Sequence, residues 1–251
     1  MNRSDDPIRM LDRKQVIFDE ASFMDWVFAE RSGPEAVWYL NPYTLAHLRE
    51  GHLMTAQSDW VVADGHLMAQ AMSQGLGRPC ESLHFDFSGP ASRVFNAMVR
   101  RGARLGVIGG KPGEASTFRR IVEQRFPGLD VVFADDGYFP ASRRASTAKR
   151  IAATRPDVLL VAMGSPRQEE FAHVLGTFTD HPMAVISCGA FVSQAVIRRE
   201  HYYPGLIVKL NLRWLYRLYL DPRMFTRIIK YYVPYKLRMR RHGPDLPFRD
   251  T

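Results

Sequence analysis

The chain has 251 residues, 46% of them apolar, and a formal net charge of +8. That length fits one domain with a terminal elaboration, or two small domains, and the apolar share supports a real core. No apolar run reaches the length of a spanning helix and no leader pattern opens the chain, while two cysteines, Cys80 and Cys188, exclude a disulfide framework and favour reduced thiols in the cytoplasm.

In chain order, Gln15 to Phe18 predicts a short strand, and Ser22 an N-cap for a helix through Trp26 and Val27. Ala36 to Leu40 reads as a buried strand closed by Asn41-Pro42, with Thr44 to Arg49 helical. Trp60 to Ala63 is a strand ending at Asp64-Gly65. Ser82 to Phe87 stays open between strand and loop. Pro90 to Arg101 has helical spacing, with Val94, Phe95, Met98 and Val99 on one side. Arg104 to Ile108 is a strand, followed by GGKPG (Gly109 to Gly113) and a helix to about Phe126. Asp130 to Phe133 is the next strand, and Ser142 to Thr154 is helical. Asp157 to Met163 is an almost unbroken apolar run, the mark of a strand buried on both faces. It stops at Gly164-Ser165-Pro166, and Arg167, Gln168 and Glu169 open a helix through Phe171 and Val174. Met183 to Cys188 is a further strand, ending at Gly189-Ala190-Phe191.

Strands alternating with helices predict an α/β, Rossmann-like, mostly parallel doubly wound sheet. After Pro204 the pattern changes, and Leu206 to Leu220 and Pro222 to about Met239 read as two basic, aromatic-rich helices. The division is a core over residues 1–204 and a C-terminal helical appendage over 205–251. From Arg198 to residue 244, only Glu200 and Asp221 oppose a long series of arginines and lysines. That asymmetry points to an anionic partner: nucleic acid, a membrane surface or a phosphorylated substrate.

Three stretches can carry chemistry. Asp64, at a strand's C-terminal edge beside a glycine turn, suits a general base in a crevice, although an ordinary Asp-Gly turn is the commoner meaning of such a pair. GGKPG resembles a phosphate-cradling turn with Lys111 adding charge, or a plain tight turn; Asp135 or Asp136 after the next strand keeps dinucleotide binding open. Gly164 to Arg167 joins a strand to a helix N-terminus, where open α/β sheets bind ligands and Arg167 adds a positive charge. There is no Asp-x-Asp pair, no His/Cys/carboxylate cluster with metal spacing and no G-x-S-x-G elbow. In the tail, Arg213 and Arg217, then Arg223 and Arg227, recur at one-turn spacing among Trp214, Tyr216, Tyr219, Phe225, Tyr231, Tyr232 and Tyr235. Basic helices with aromatic anchors suit an anionic membrane interface, or RNA or DNA.

Taken together and in register, these pieces resemble the WecB/TagA/CpsF family of glycosyltransferases. The matching pieces span about Ala36 to Tyr235: the strand ending in Asn41, ADG at Ala63 to Gly65, GGKPG, FPGLDVV with GYF at Gly137 to Phe139, GSPRQEE, CGAF and NLRWLYRLYLDPR. The last wording is closer to exopolysaccharide-assembly members than to teichoic-acid enzymes. The resemblance implies transfer of a sugar from a UDP-sugar to a polyprenyl-diphosphate-linked saccharide, by inversion and without a metal or other cofactor. It implies that Asp64 is the general base, that Asn41 and Gln168 line the donor pocket, and that Arg217 and Arg227 close over the diphosphate. With the motif residues Gly109, Gly113, Gly137, Tyr138 and Gly164 these form the donor-binding set, and Arg167, Arg213 and Arg223 are auxiliary to acceptor or diphosphate. It places the protein at the cytoplasmic face of the plasma membrane, on an anionic surface, allows a homo-oligomer and leaves no role for nucleic acid. The alternatives are an NAD(P)-dependent oxidoreductase using GGKPG and a nucleic-acid-binding protein using the tail. Four positions depart from the family pattern: Tyr39, Ser82, Val192 and Met224.

Overall fold

The computed structural model describes residues 15–49, 60–198 and 223–246. Six strands form one sheet: β1 (Pro34–Leu40), β2 (Trp60–Ala63), β3 (Arg104–Gly109), β4 (Asp130–Asp135), β5 (Val158–Ala162) and β6 (Met183–Ser187). Their order is β2-β1-β6-β5-β3-β4, and all five pairings are parallel. This is the Rossmann-like α/β sheet that alternating strands and helices predict.

The central strands β5 and β6 are buried along their whole length, as their unbroken apolar runs require of strands covered on both faces. On one face pack α1 (Glu20–Val27), α4 (Ala91–Arg101), α5 (Glu114–Arg125) and α8 (Phe191–Arg198), through Phe23, Phe95, Phe118 and Phe191 among others. On the other lie α2 (Pro42–Arg49), α3 (His66–Leu76), α6 (Arg144–Thr154) and α7 (Arg167–Gly176), through Leu45, Met68, Met72, Ile151 and Phe171. At the C-terminus, α9 (Arg223–Arg227) runs through one π turn (Ile228–Tyr232) into α10 (Val233–His242). Tyr235 and Met239 of α10 pack on the second face, so the helix is seated on the sheet domain.

Several expectations are refined. The cap of α1 is Asp19, whose carboxylate accepts from Ser22 N–H at 2.7 Å; Ser22 sits at the third helical position. Gln15 to Phe18 makes one parallel bridge, Val16 to Val61, instead of a full strand. Helices α3 and α8 were not anticipated. The expected helix over Leu206 to Leu220 lies outside the described residues.

Candidate active site

The C-terminal edge of the sheet opens into a cleft of about 630 Å³. It is lined from the ends of β1 (Tyr39, Asn41), β2 (Asp64), β3 (Gly110, Lys111), β5 (Ala162 to Ser165) and β6 (Ser187 to Ala190). This is where an open α/β sheet can hold a ligand, since the strands end there and the helices start there.

Asp64 lies on the cleft wall, and both of its carboxylate oxygens are engaged. Asn41 Nδ2 donates to Oδ2 at 2.9 Å, and His84 Nδ1 stands 2.8 Å from Oδ1. Asn41 can aim its amide this way because its other end is fixed. Its Oδ1 accepts the backbone N–H groups of Tyr43 and Thr44, each at 3.0 Å, so the residue also caps α2. Thr44 Oγ1 returns the bond by accepting from Asn41 N–H at 2.8 Å. Gly65 N–H donates to Ser82 Oγ at 2.9 Å, and Ser82 Oγ lies 3.3 Å from His84 Nε2. Beneath, the buried Tyr39 phenol is pushed well above its ordinary pKa by burial first and then by nearby groups including Cys188 and Asp64.

Gln168 reaches the cleft but is bonded on every side. Its Oε1 accepts Gly189 N–H at 3.0 Å, and its Nε2 donates to Glu169 Oε1 at 2.8 Å and to Ser165 Oγ at 3.3 Å. It therefore ties the β5–α7 turn to the β6–α8 turn. Glu169 is buried and its Oε2 has no hydrogen-bond partner, so burial raises its pKa despite bonds from Ser165 and Gln168. Cys188, just past the end of β6, is pushed up to about 12 by burial.

GGKPG divides. Gly110 and Lys111 line the cleft, whereas Gly109 and Gly113 do not. A Cβ on Gly109 would stand 2.4 Å from Ala162 O, and one on Gly137 would stand 2.8 Å from Gly109 Cα. These two glycines thus let β3, β5 and the β4 turn approach closely. The N–H groups of Gly113 and Ala115 donate to the Asp136 carboxylate at 2.9 and 3.3 Å, and Lys111 N–H donates to Glu114 at 2.7 Å. Carboxylates already occupy the start of α5 that a phosphate cradle or dinucleotide site needs.

Tyr138 and Gly164 line the cleft; Arg167 is exposed outside it. From the tail, Arg227 and Tyr232 enter the lining. Tyr43 holds this part of the tail: Arg227 lies over its ring at 4.4 Å and Tyr231 meets it edge-on at 5.1 Å. Arg213 and Arg217 lie outside the described residues, and Arg223 is described only as backbone, in α9. Among the described residues no group of three or more His, Cys, Asp and Glu could hold a metal ion, and no helix is long and apolar enough to cross a membrane.

The sequence reading missed His84, Tyr43, Ser193 and Gln194, and read Tyr232 only as a tail aromatic; all five line the cleft. For His84 a signal existed: Ser82 to Phe87 alternates polar and apolar, and Leu83 and Phe85 go into the core while His84 faces the cleft.

The WecG/TagA/CpsF glycosyl transferase family model matches residues 8–244. A UDP-Gal:α-D-GlcNAc-diphosphoundecaprenol β-1,4-galactosyltransferase of Shigella boydii is 27% identical over 80% of this chain and 84% of its own length. Two N-acetylglucosaminyldiphosphoundecaprenol N-acetyl-β-D-mannosaminyltransferases are also similar. That of Bacillus spizizenii is 28% identical over 69% of this chain and 65% of its own length. That of Bacillus subtilis is 30% identical over 56% and 51%. With that match across nearly the whole length, the chain belongs to the WecG/TagA/CpsF family of glycosyl transferases.

Proposed function

We propose that this glycosyltransferase moves a sugar from a UDP-sugar to a saccharide on a polyprenyl diphosphate, with inversion and with arginine, not a metal, facing the leaving diphosphate. The observation that carries the reading is Asp64, its carboxylate held by both oxygens on the wall of a cleft that Arg227 also enters. In this scheme the acceptor hydroxyl gives its proton to Asp64 as its oxygen bonds the anomeric carbon. The carbon–oxygen bond to the diphosphate breaks, and UDP leaves with the electron pair next to the Arg227 guanidinium. The named relatives share a GlcNAc-diphosphoundecaprenol acceptor and differ in donor, so that acceptor and a donor panel are the first substrates to try.

The acceptor's lipid tail implies work at the inner face of a membrane. Supporting this, Phe225, Ile229, Val233 and Leu237 recur every fourth residue along α9 and α10 and are 42% to 57% exposed. The wider π turn offsets the drift that a four-residue step otherwise accumulates around a helix. Lys230, Lys236, Arg238, Arg240 and Arg241 flank this stripe, the composition of a helix that lies on an anionic bilayer.

The test is transfer from UDP-galactose, UDP-N-acetylmannosamine and other UDP-sugars to GlcNAc-diphosphoundecaprenol in mixed micelles. Wild-type protein transfers at least one sugar with inversion and in the presence of EDTA. Asp64→Asn loses about 10²–10⁴-fold in kcat with UDP binding unchanged. Full activity of Asp64→Asn, a retained anomeric configuration, or loss of activity in EDTA overturns the matching part of the proposal.

A further inference from the structure

The segment from Glu81 to Asp86 runs beside β2 and is anchored by its backbone. Glu81 N–H donates to Phe18 O at 2.7 Å and Leu83 N–H to Ala63 O at 2.9 Å. Burial of Leu83 and Phe85 in the core fixes which way the intervening His84 is presented. One ring nitrogen, Nε2, sits 3.3 Å from Ser82 Oγ, itself held by Gly65 N–H. The other, Nδ1, is 2.8 Å from Asp64 Oδ1, and a ring nitrogen that close to a carboxylate carries its hydrogen.

We propose that His84 is the positioning residue for the Asp64 base, resting on the reading of Asp64 given above. A carboxylate on a turn can rotate about two side-chain bonds. Here Asn41 fixes one oxygen from the end of β1, and His84 fixes the other from the segment along β2. The hydrogen on His84 Nδ1 stays in place during transfer. The acceptor's proton ends on Asp64, and the electron pair of the broken bond leaves with UDP. His84 therefore acts through Asp64. Its value is geometric: displacing a reacting group by about 1 Å can cost about 10²-fold in rate.

The test uses the full chain and three substitutions, His84→Leu, His84→Gln and His84→Asn. Transfer is measured with the donor panel above, UDP affinity by calorimetry and folding by thermal melt. The Asn amide can place an N–H where Nδ1 stands, so His84→Asn keeps kcat within about threefold. The Gln amide reaches toward Ser82 instead. His84→Leu and His84→Gln lose about 10–100-fold in kcat, with UDP affinity within about twofold of wild type. Should the leucine variant not fold, the Gln and Asn pair carries the comparison. Parallel loss of UDP affinity and kcat would mean that His84 only shapes the cleft, and overturns the proposal. Wild-type kcat in His84→Leu or His84→Gln, with Asp64→Asn inactive, removes the role of His84 and leaves the base intact. A wild-type protein that transfers from no donor removes both.

Discussion

Asp64 and Gln168 stand on one cleft, and the hydrogen bonds of Gln168 all go to the two turns beside it. Gln168 has its oxygen on Gly189 and its nitrogen on Glu169 and Ser165, so its amide works as a strut between two turns. The strut ends on Glu169, whose burial raises its pKa. Between the unfolded midpoint and the higher folded one, the native state holds more protons than the unfolded state. Stability attributable to this group therefore falls as pH rises through that window. Glu169→Gln removes the titration and is expected to flatten the curve. Melting temperatures of both proteins, from below pH 4.5 to neutral, check this: the wild type loses ground to the variant as pH rises. Parallel curves contradict it. Cys188 is a simpler case. With its pKa at about 12, the native thiol has almost no thiolate near pH 8. Iodoacetamide is expected to label it only after unfolding in guanidinium, as peptide mass mapping will show.

At the scale of elements, the joint that matters is the one between α2 and the C-terminal helix. Tyr43 comes two residues after the Asn41 cap, so its ring stands in the first turn of α2. His47 packs against it at 4.2 Å, Tyr231 at 5.1 Å and Arg227 at 4.4 Å, and its hydroxyl is 3.4 Å from Ser165 O. One ring thus links the start of α2, the β5–α7 turn and the tail. A cation over an aromatic face contributes about 0.5–2 kcal/mol. Tyr43→Leu and Arg227→Met should each weaken UDP binding, and the double variant should lose less than the sum. Strict additivity in calorimetry would show that the ring does not hold Arg227 for its task. The outer face of the same helix carries the apolar stripe. Replacing Phe225, Ile229, Val233 and Leu237 with serine is expected to weaken sedimentation with anionic vesicles at least about tenfold, beyond what salt alone removes. Unchanged sedimentation would take the stripe out of membrane binding.

For the whole molecule, the described part of the tail both lines the cleft and joins the packing. Tyr235 is buried, and Tyr235, Met239 and Leu246 join the second core face. Removing residues from 206 onward leaves the six strands and both helical layers intact, so the remainder should fold. It loses the burial of Tyr235 and its neighbours, about 2–3 kcal/mol, which corresponds to a fall in Tm of about 4–12 °C for a chain of this size. A melt unchanged from wild type would mean that the tail is not seated in solution as it is here.

Much of this architecture is written locally. The six strands were readable because buried strands need apolar runs, and β5 and β6 have them. Asp64 was readable because a strand end followed by glycine marks a turn at the sheet's rim. Helix α3, which buries Met68, Ala69, Ala71 and Met72 between Gly65 and Gly77, was not read. GGKPG looked like a phosphate cradle because the local pattern does not reveal that Asp136, from the next strand's end, already fills the helix start. Nor does it reveal strand order, or that Asn41 and Asp64, 23 residues apart, share a hydrogen bond. By itself the sequence determined which segments are buried and where the chain turns, since apolar spacing and glycine act on each segment alone. Which strand ends meet, that His84 and Asn41 grip one carboxylate, and that Arg227 lies over Tyr43 at the same cleft were settled by the folded packing. Those contacts arise from packing between segments distant in the chain, and such packing leaves no periodic trace in any one of them.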